Sequence, residues 1–179
     1  MNLTNPIRTA FRFIKLSISQ YTPIDLMGNK LENIFNFLEL SPSIATAGQP
    51  TESQLLSVKA AGYQSIINLA PGTHENALTN ERESVESLGM EYIHIPVKFD
   101  QPTIVDFDRF CEVMRSREDR SVFIHCAANM RVSSFIYLYR RIYAGVSHHV
   151  AQLEMAKIWI PNPVWQEFID RTIAEKINN

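Results

Sequence analysis

The sequence predicts an α/β fold of three layers, a mostly parallel central sheet flanked by helices on both faces. Three observations carry this. Apolar, β-branched runs begin near positions 65, 92 and 121. The gaps of 27 and 29 residues each hold one helix pattern, the spacing that strand–helix–strand crossovers need to return the chain parallel. The helix patterns open on Thr or Asn and the first two close on Gly, so each connection has marked ends.

Residues 1–40 read as an N-terminal helical extension, ahead of a domain over 41–179 that ends in a helical cap. Ala45–Gln49 reads as a short strand or turn. Thr51-x-x-Gln54 is a capping box before Leu55, Leu56 and Val58, and Gly62 stops that helix. Ser65–Leu69 is the first buried strand. A loop over 70–79 follows; Asn80 with Glu83 opens the next helix and Gly89 closes it. Tyr92–Val97 is the second strand. Thr103 with Asp106 caps a helix whose apolar side is Ile104, Phe107, Phe110, Val113 and Met114. Ser121–His125 is the third core strand. Met130–Ala144 reads as a long helix ended by Gly145, Ser147–Ile158 as another, and a last helix runs to about Ile177 after the break at Pro161 and Pro163. Trp159 and Trp165 anchor this cap to the core.

The chain has 179 residues, 45% hydrophobic and 20% charged, which supports one domain with a substantial core. A net charge of -2 leaves no bulk attraction for nucleic acid. No apolar run approaches 18 residues, so no transmembrane segment is expected, and charges interrupt any signal-peptide core. Ile7, Phe11, Ile14 and Ile18 form a stripe with Arg8, Arg12 and Lys15 off it. That pattern suits a membrane-surface or partner helix, or a helix packed on its own domain. Two cysteines, Cys111 and Cys126, make no disulfide framework and fit a reducing, cytoplasmic setting. His74, His148 and His149 lack ligand spacing, so neither a metal nor a cofactor is expected.

The chemistry concentrates in one stretch. An apolar strand ends at His125-Cys126, and Ala127-Ala128-Asn129-Met130-Arg131 leads into a helix. In open α/β sheets ligands bind beyond the carboxyl ends of the strands, which is where this loop falls. A thiol there faces the N–H groups of Ala127, Ala128, Asn129 and Met130 and the positive end of the helix. Both favour thiolate, and the same donors suit a small oxyanion such as phosphate or sulfate. Asn129 stands where the loop needs positive φ, the conformation that Asn tolerates best after Gly, and its amide offers one more anion contact. Arg131 supplies a fixed cation. His125 is expected to bond backbone and set the surroundings of the thiol. The Ser133 hydroxyl either bonds a carbonyl one turn back or points at the Cys126 sulfur. Cys111 belongs to a helix and reads as packing.

The His125-Cys126…Arg131 loop, with Gly48-Gln49-Pro50, Ile66-Ile67-Asn68-Leu69 and His94-Ile95-Pro96-Val97, resembles a small bacterial phosphatase-like family. That family is related to the cysteine-dependent dual-specificity and protein-tyrosine phosphatases, and the likeness covers roughly residues 41–170. Its relatives also occur joined to metallo-hydrolase or sulfur-handling domains. The resemblance implies a dual-specificity phosphatase-like fold and hydrolysis of a phosphate monoester through a phosphocysteine. Cys126 attacks phosphorus while loop N–H groups and Arg131 hold the equatorial oxygens. Asp100, on the loop after the 92–97 strand, protonates the leaving oxygen and then activates water.

One departure from that pattern splits the reading. The phosphatase signature has five residues between Cys and Arg, and here there are four. Either the loop keeps its length and Arg131 sits one place early, about 100° around the helix, or the loop is one residue shorter. The shorter loop resembles rhodanese-type sulfurtransferases, whose tighter ring of amides suits one persulfide sulfur. A third reading is an oxyanion-binding module without turnover.

Overall fold

The structure, a computed structural model, describes residues 30–177. The amphipathic stripe over 7–18 therefore lies outside the described residues. Five strands form one sheet: β1 (Leu38–Ser41), β2 (Ile44–Ala47), β3 (Ser65–Asn68), β4 (Glu91–His94) and β5 (Val122–His125). Their order is β1-β2-β5-β3-β4; β1 runs antiparallel to β2, and the other pairs are parallel. Six helices among the described residues flank it: α1 (Glu52–Ala60), α2 (Glu81–Ser87), α3 (Ile104–Arg115), α4 (Met130–Ile142), α5 (His148–Ala156) and α6 (Pro163–Ile177). The three-layer α/β architecture read from strand spacing is the one observed.

The period of two along each strand divides the core in two. Ala45, Ile66 and Phe123 join Leu55, Val58 and Val85 on the face covered by α1 and α2. Ile67, Val122 and Ile124 join Phe107, Phe110, Phe135, Trp165 and Phe168 on the face covered by α3, α4 and α6. The phase of β5 then sends His125, two residues after Phe123, toward α2. Cys126, two after Ile124, goes to the opposite core, in the apolar cluster that holds Ile124 and Val132.

The caps follow the sequence with one exception. Thr51 and Gln54 form the capping box, and Thr103 Oγ1 accepts from Asp106 N. Gly62, Gly89 and Gly145 take positive φ. Asn80 stands at the N-cap of α2 but makes no side-chain cap bond. The helix start is held instead by Glu81, whose buried carboxylate collects donors from three elements.

A second difference lies at the amino-terminal side. Leu38, Glu39 and Leu40, read as the end of a helical extension over 1–40, belong with Ser41 to a strand paired to β2, so the sheet reaches into the segment before residue 41. Pro42 and Ser43 alone separate the two strands, a connection short enough for a tight hairpin.

Candidate active site at the His-Cys loop

β5 is central, and its last residue pairs with Ala47 of β2 and Asn68 of β3. The loop leaving it is clamped from outside. Gln49 N donates to Ala127 O at 3.2 Å, and Asn36 Nδ2 donates to Ala128 O at 3.0 Å. With these carbonyls turned outward, the chain enters α4 through Asn129, whose φ of 65° and ψ of -1° are left-handed. The first intrahelical bond is Ser133 N to Asn129 O. The N–H groups of Met130, Arg131 and Val132 therefore have no acceptor inside the helix.

Gly48 permits this clamp. A Cβ there would lie 3.0 Å from Ala127 O and from Phe35 O, both main-chain atoms that cannot swing aside.

The loop residues Cys126 to Arg131 follow β5 in sequence and lie at its end, while Asp100 lies apart and several side chains take other partners than expected. Cys126 is 1% exposed, its N–H donating to Ala47 O at 3.3 Å, so the thiol sits under the loop rather than on it. The Asn129 amide is taken: Nδ2 donates to Asn36 O (2.7 Å) and Thr46 Oγ1 (2.9 Å), so it fixes the loop instead of facing an anion. The Ser133 hydroxyl donates to Met130 O at 3.0 Å, the local alternative, and not to the Cys126 sulfur. His125 meets no backbone partner; its Nε2 lies 3.1 Å from Glu81 Oε1, an imidazole–carboxylate contact set off the hydrogen-bond line.

Arg131 is half-buried at the second position of α4, with its guanidinium carbon 5.1 Å from the centre of the Phe99 ring. Phe99 is itself packed on Trp159 and Trp165, each with ring centres 5.8 Å away. Trp165 Nε1 donates to Phe99 O at 2.8 Å. The C-terminal cap thus builds the platform for the arginine. Arg131 Nε is buried with no acceptor among the described residues.

Asp100 stands next to Phe99 but is exposed, lining a cleft of about 150 Å³ with Pro102, Glu167 and Arg171. Neither Cys126 nor Arg131 lines that cleft. Cys111 is buried in α3, and burial, with the Asp108 charge, pushes its thiol up to about 12. It is a packing residue.

A polar network behind the loop had no counterpart in the sequence reading. Glu81 Oε1 accepts from Gln49 Nε2 at 2.6 Å; Oε2 accepts from Asn68 Nδ2 and Tyr92 OH, each at 2.7 Å. Burial opposes ionisation of Glu81, yet His125, Tyr92 and Gln49 together outweigh it and hold the carboxyl at about 2. Gln49 Oε1 faces His74 Nε2 at 3.1 Å. The signal that could have found the network is the strand phase: Asn68, Tyr92 and His125 are polar strand residues pointing to one face, that of α2. A cleft of about 340 Å³ opens beside it, lined by Asn68, Leu78, Glu81, Tyr92 and His94.

A family model described as a DSP-PTPase phosphatase fused to NAD+ kinase matches residues 15–162. The chain belongs to this family. A DUF442 protein of Shewanella putrefaciens CN-32, assigned to the phosphatases, superposes with a TM-score of 0.73 and 30% identity, over 82% of this chain and 96% of that one. Pseudomonas aeruginosa TpbA shares the fold at a TM-score of 0.63 and 13% identity, over 76% of this chain and 84% of its own. Its complex with pTyr has also been solved. Among curated proteins, a beta-lactamase hydrolase-like protein of Agrobacterium fabrum is 31% identical over 104 residues, 56% of this chain and 24% of that protein. The Xylella fastidiosa counterpart is 30% identical over 97 residues, 52% of this chain and 22% of its own. The chain spans about a quarter of these relatives. The dual-specificity phosphatase-like fold implied by the His-Cys loop is the fold of this family.

Proposed function

We propose that the chain hydrolyses a phosphate monoester, with Cys126 as nucleophile and Arg131 as the oxyanion-gripping cation. One observation carries this reading: the buried Arg131 Nε lacks an acceptor among the described residues, at a helix start whose N–H groups also lack intrahelical ones. Leaving a buried guanidinium donor unpaired is costly, and an oxyanion bound at the loop would satisfy it together with the helix N–H groups. Ala127, Ala128, Asn129 and Met130 supply main-chain donors; the outward tie of the Ala127 and Ala128 carbonyls keeps negative oxygens away from that anion. In the phosphatase pattern Asp100 protonates the leaving oxygen; from its exposed position it would need the 98–103 loop to move. An aryl phosphate, the class that pTyr represents, is the first substrate to offer.

The four-residue Cys126–Arg131 spacing supports a sulfurtransferase as the second reading, because a shorter loop encloses a smaller group. One assay separates the readings. Purified chain receives a chromogenic aryl phosphate and, separately, thiosulfate with cyanide, each with a Cys126→Ser control. Phosphate release lost in the variant supports hydrolysis, and Cys126-dependent thiocyanate supports sulfur transfer. Silence in both, with phosphate still bound, leaves an anion-binding module.

A further inference from the structure

The open cleft of about 340 Å³ beside the Glu81 network is separate from the His-Cys loop, and none of residues 126–131 lines it. Its volume is that of a small-ligand site. What it offers a ligand follows from counting donors and acceptors. Glu81 and Asn68, both buried, and Tyr92 form its floor. The Glu81 carboxylate is ionised, and each of its oxygens already has two polar neighbours. The donors Asn68 Nδ2 and Tyr92 OH are both turned into that carboxylate. The floor therefore supplies negative charge and holds its donors back.

The rim adds acceptors. His94 Nε2 lies 2.7 Å from Ala70 O, and a carbonyl only accepts, so this nitrogen carries the hydrogen. The lone pair of the neutral ring then falls on Nδ1, which has no hydrogen-bond partner among the described residues. Glu83 is exposed and unpaired among the described residues. Arg82, the cation on this rim, is committed elsewhere. Its Nη1 donates to Glu86 Oε1 at 3.0 Å and to Tyr92 O at 3.3 Å, and its guanidinium carbon stands 5.0 Å from the Tyr92 ring centre. Two carboxylates thus line the cleft against one guanidinium that Glu86 already neutralises. Ala77 and Leu78 complete it with an apolar wall.

We propose that this cleft binds a small organic cation, a guanidinium or primary ammonium group on a short aliphatic stem. Its N–H groups donate to the Glu83 carboxylate and to His94 Nδ1, and its stem lies along Ala77 and Leu78. An anion would meet two carboxylates and no free cation, and a purely apolar group would desolvate the Glu83 charge without pairing it. The site does not depend on any chemistry at Cys126.

The test uses the full chain with n-butylguanidinium, and with n-butylurea as its neutral counterpart of the same shape. Calorimetry gives the affinity, and 15N-histidine-labelled protein reports the His94 ring. The expected result is saturable one-site binding of butylguanidinium that moves the His94 Nδ1 resonance, with roughly tenfold or more lost for butylurea, because bonds from a charged donor are the stronger ones. Glu83→Gln should weaken binding about three- to fivefold, the size expected of an exposed charge pair. Arg82→Ala should tighten it, because the like charge goes and Glu86 is released; damage to the fold would not produce a gain. Glu39→Gln removes an exposed carboxylate on β1, at the opposite edge of the sheet from β4, and should change nothing. Equal binding of butylurea overturns the proposal, as do equal losses in Glu83→Gln and Glu39→Gln, binding without a His94 response, or no binding of butylguanidinium at millimolar concentration.

Discussion

Glu81 keeps its charge against burial because donors from two strands and a loop converge on one carboxylate, with the His125 ring beside it. Its folded pKa, about 2, lies below the ordinary 4.5. The stability it contributes is therefore complete above pH 4.5 and lost as pH falls toward 2. Urea unfolding followed between pH 5 and 2 should show this acid limb, and Glu81→Gln should flatten it. Glu81→Ala should cost roughly 3–5 kcal/mol at pH 7, since it strands the donors of Asn68, Gln49 and Tyr92 in a buried space. For Arg131, truncation to Ala should weaken phosphate or sulfate binding by roughly 1.5–3 kcal/mol, read by calorimetry. An unchanged affinity would mean that the guanidinium serves only its stack on Phe99.

At the scale of elements, the turn into α4 depends on one residue doing two jobs. Asn129 takes φ of 65° and spends its amide on Asn36 O and Thr46 Oγ1. Asn129→Gly should keep the turn and lose only these bonds, at about 1–2 kcal/mol. Asn129→Ala should cost more, because it loses the bonds and places a Cβ in the left-handed region. Thermal melts of the two variants give the order. The conformation was legible in the sequence, because it depends on one residue and its neighbours; the amide's partners were not, because Asn36 lies 93 residues away. The same division holds elsewhere. Thr51, Gln54 and Thr103 act within four residues of themselves, and the sequence shows them. His125 finds Glu81 only through the phase of β5 and the packing of α2 behind β3, so local spacing could not reveal the pair. β1 escaped because four-residue strands joined by Pro42 and Ser43 carry too little alternation to mark a pairing.

Across the whole molecule, the two faces of the sheet have different tasks. The α1–α2 face carries the polar network, while the α3–α6 face supplies the aromatic mass under the arginine. Trp165, fully buried, joins the last helix to the Phe99 loop through its ring contacts and its N–H. Trp165→Ala should lower stability by about 3–5 kcal/mol in denaturant unfolding. It should also weaken phosphate binding, because Phe99 loses the support that presents it to Arg131. A variant that lost stability but bound phosphate as tightly as wild type would separate the cap from the site.

Gln49 belongs to both halves of this design. Its main-chain N–H pins the outward-turned Ala127 carbonyl, and its side chain bridges Glu81 to His74. Shape and protonation are thereby hinged on a single joint: a shift of this backbone by a fraction of an ångström would loosen the rim of the anion cup and misalign the imidazole in the same motion. A substitution that moves this backbone, such as one at Gly48, is thus expected to loosen the loop and the Glu81 network together, whereas removing only the Gln49 side chain leaves the Ala127 tie in place.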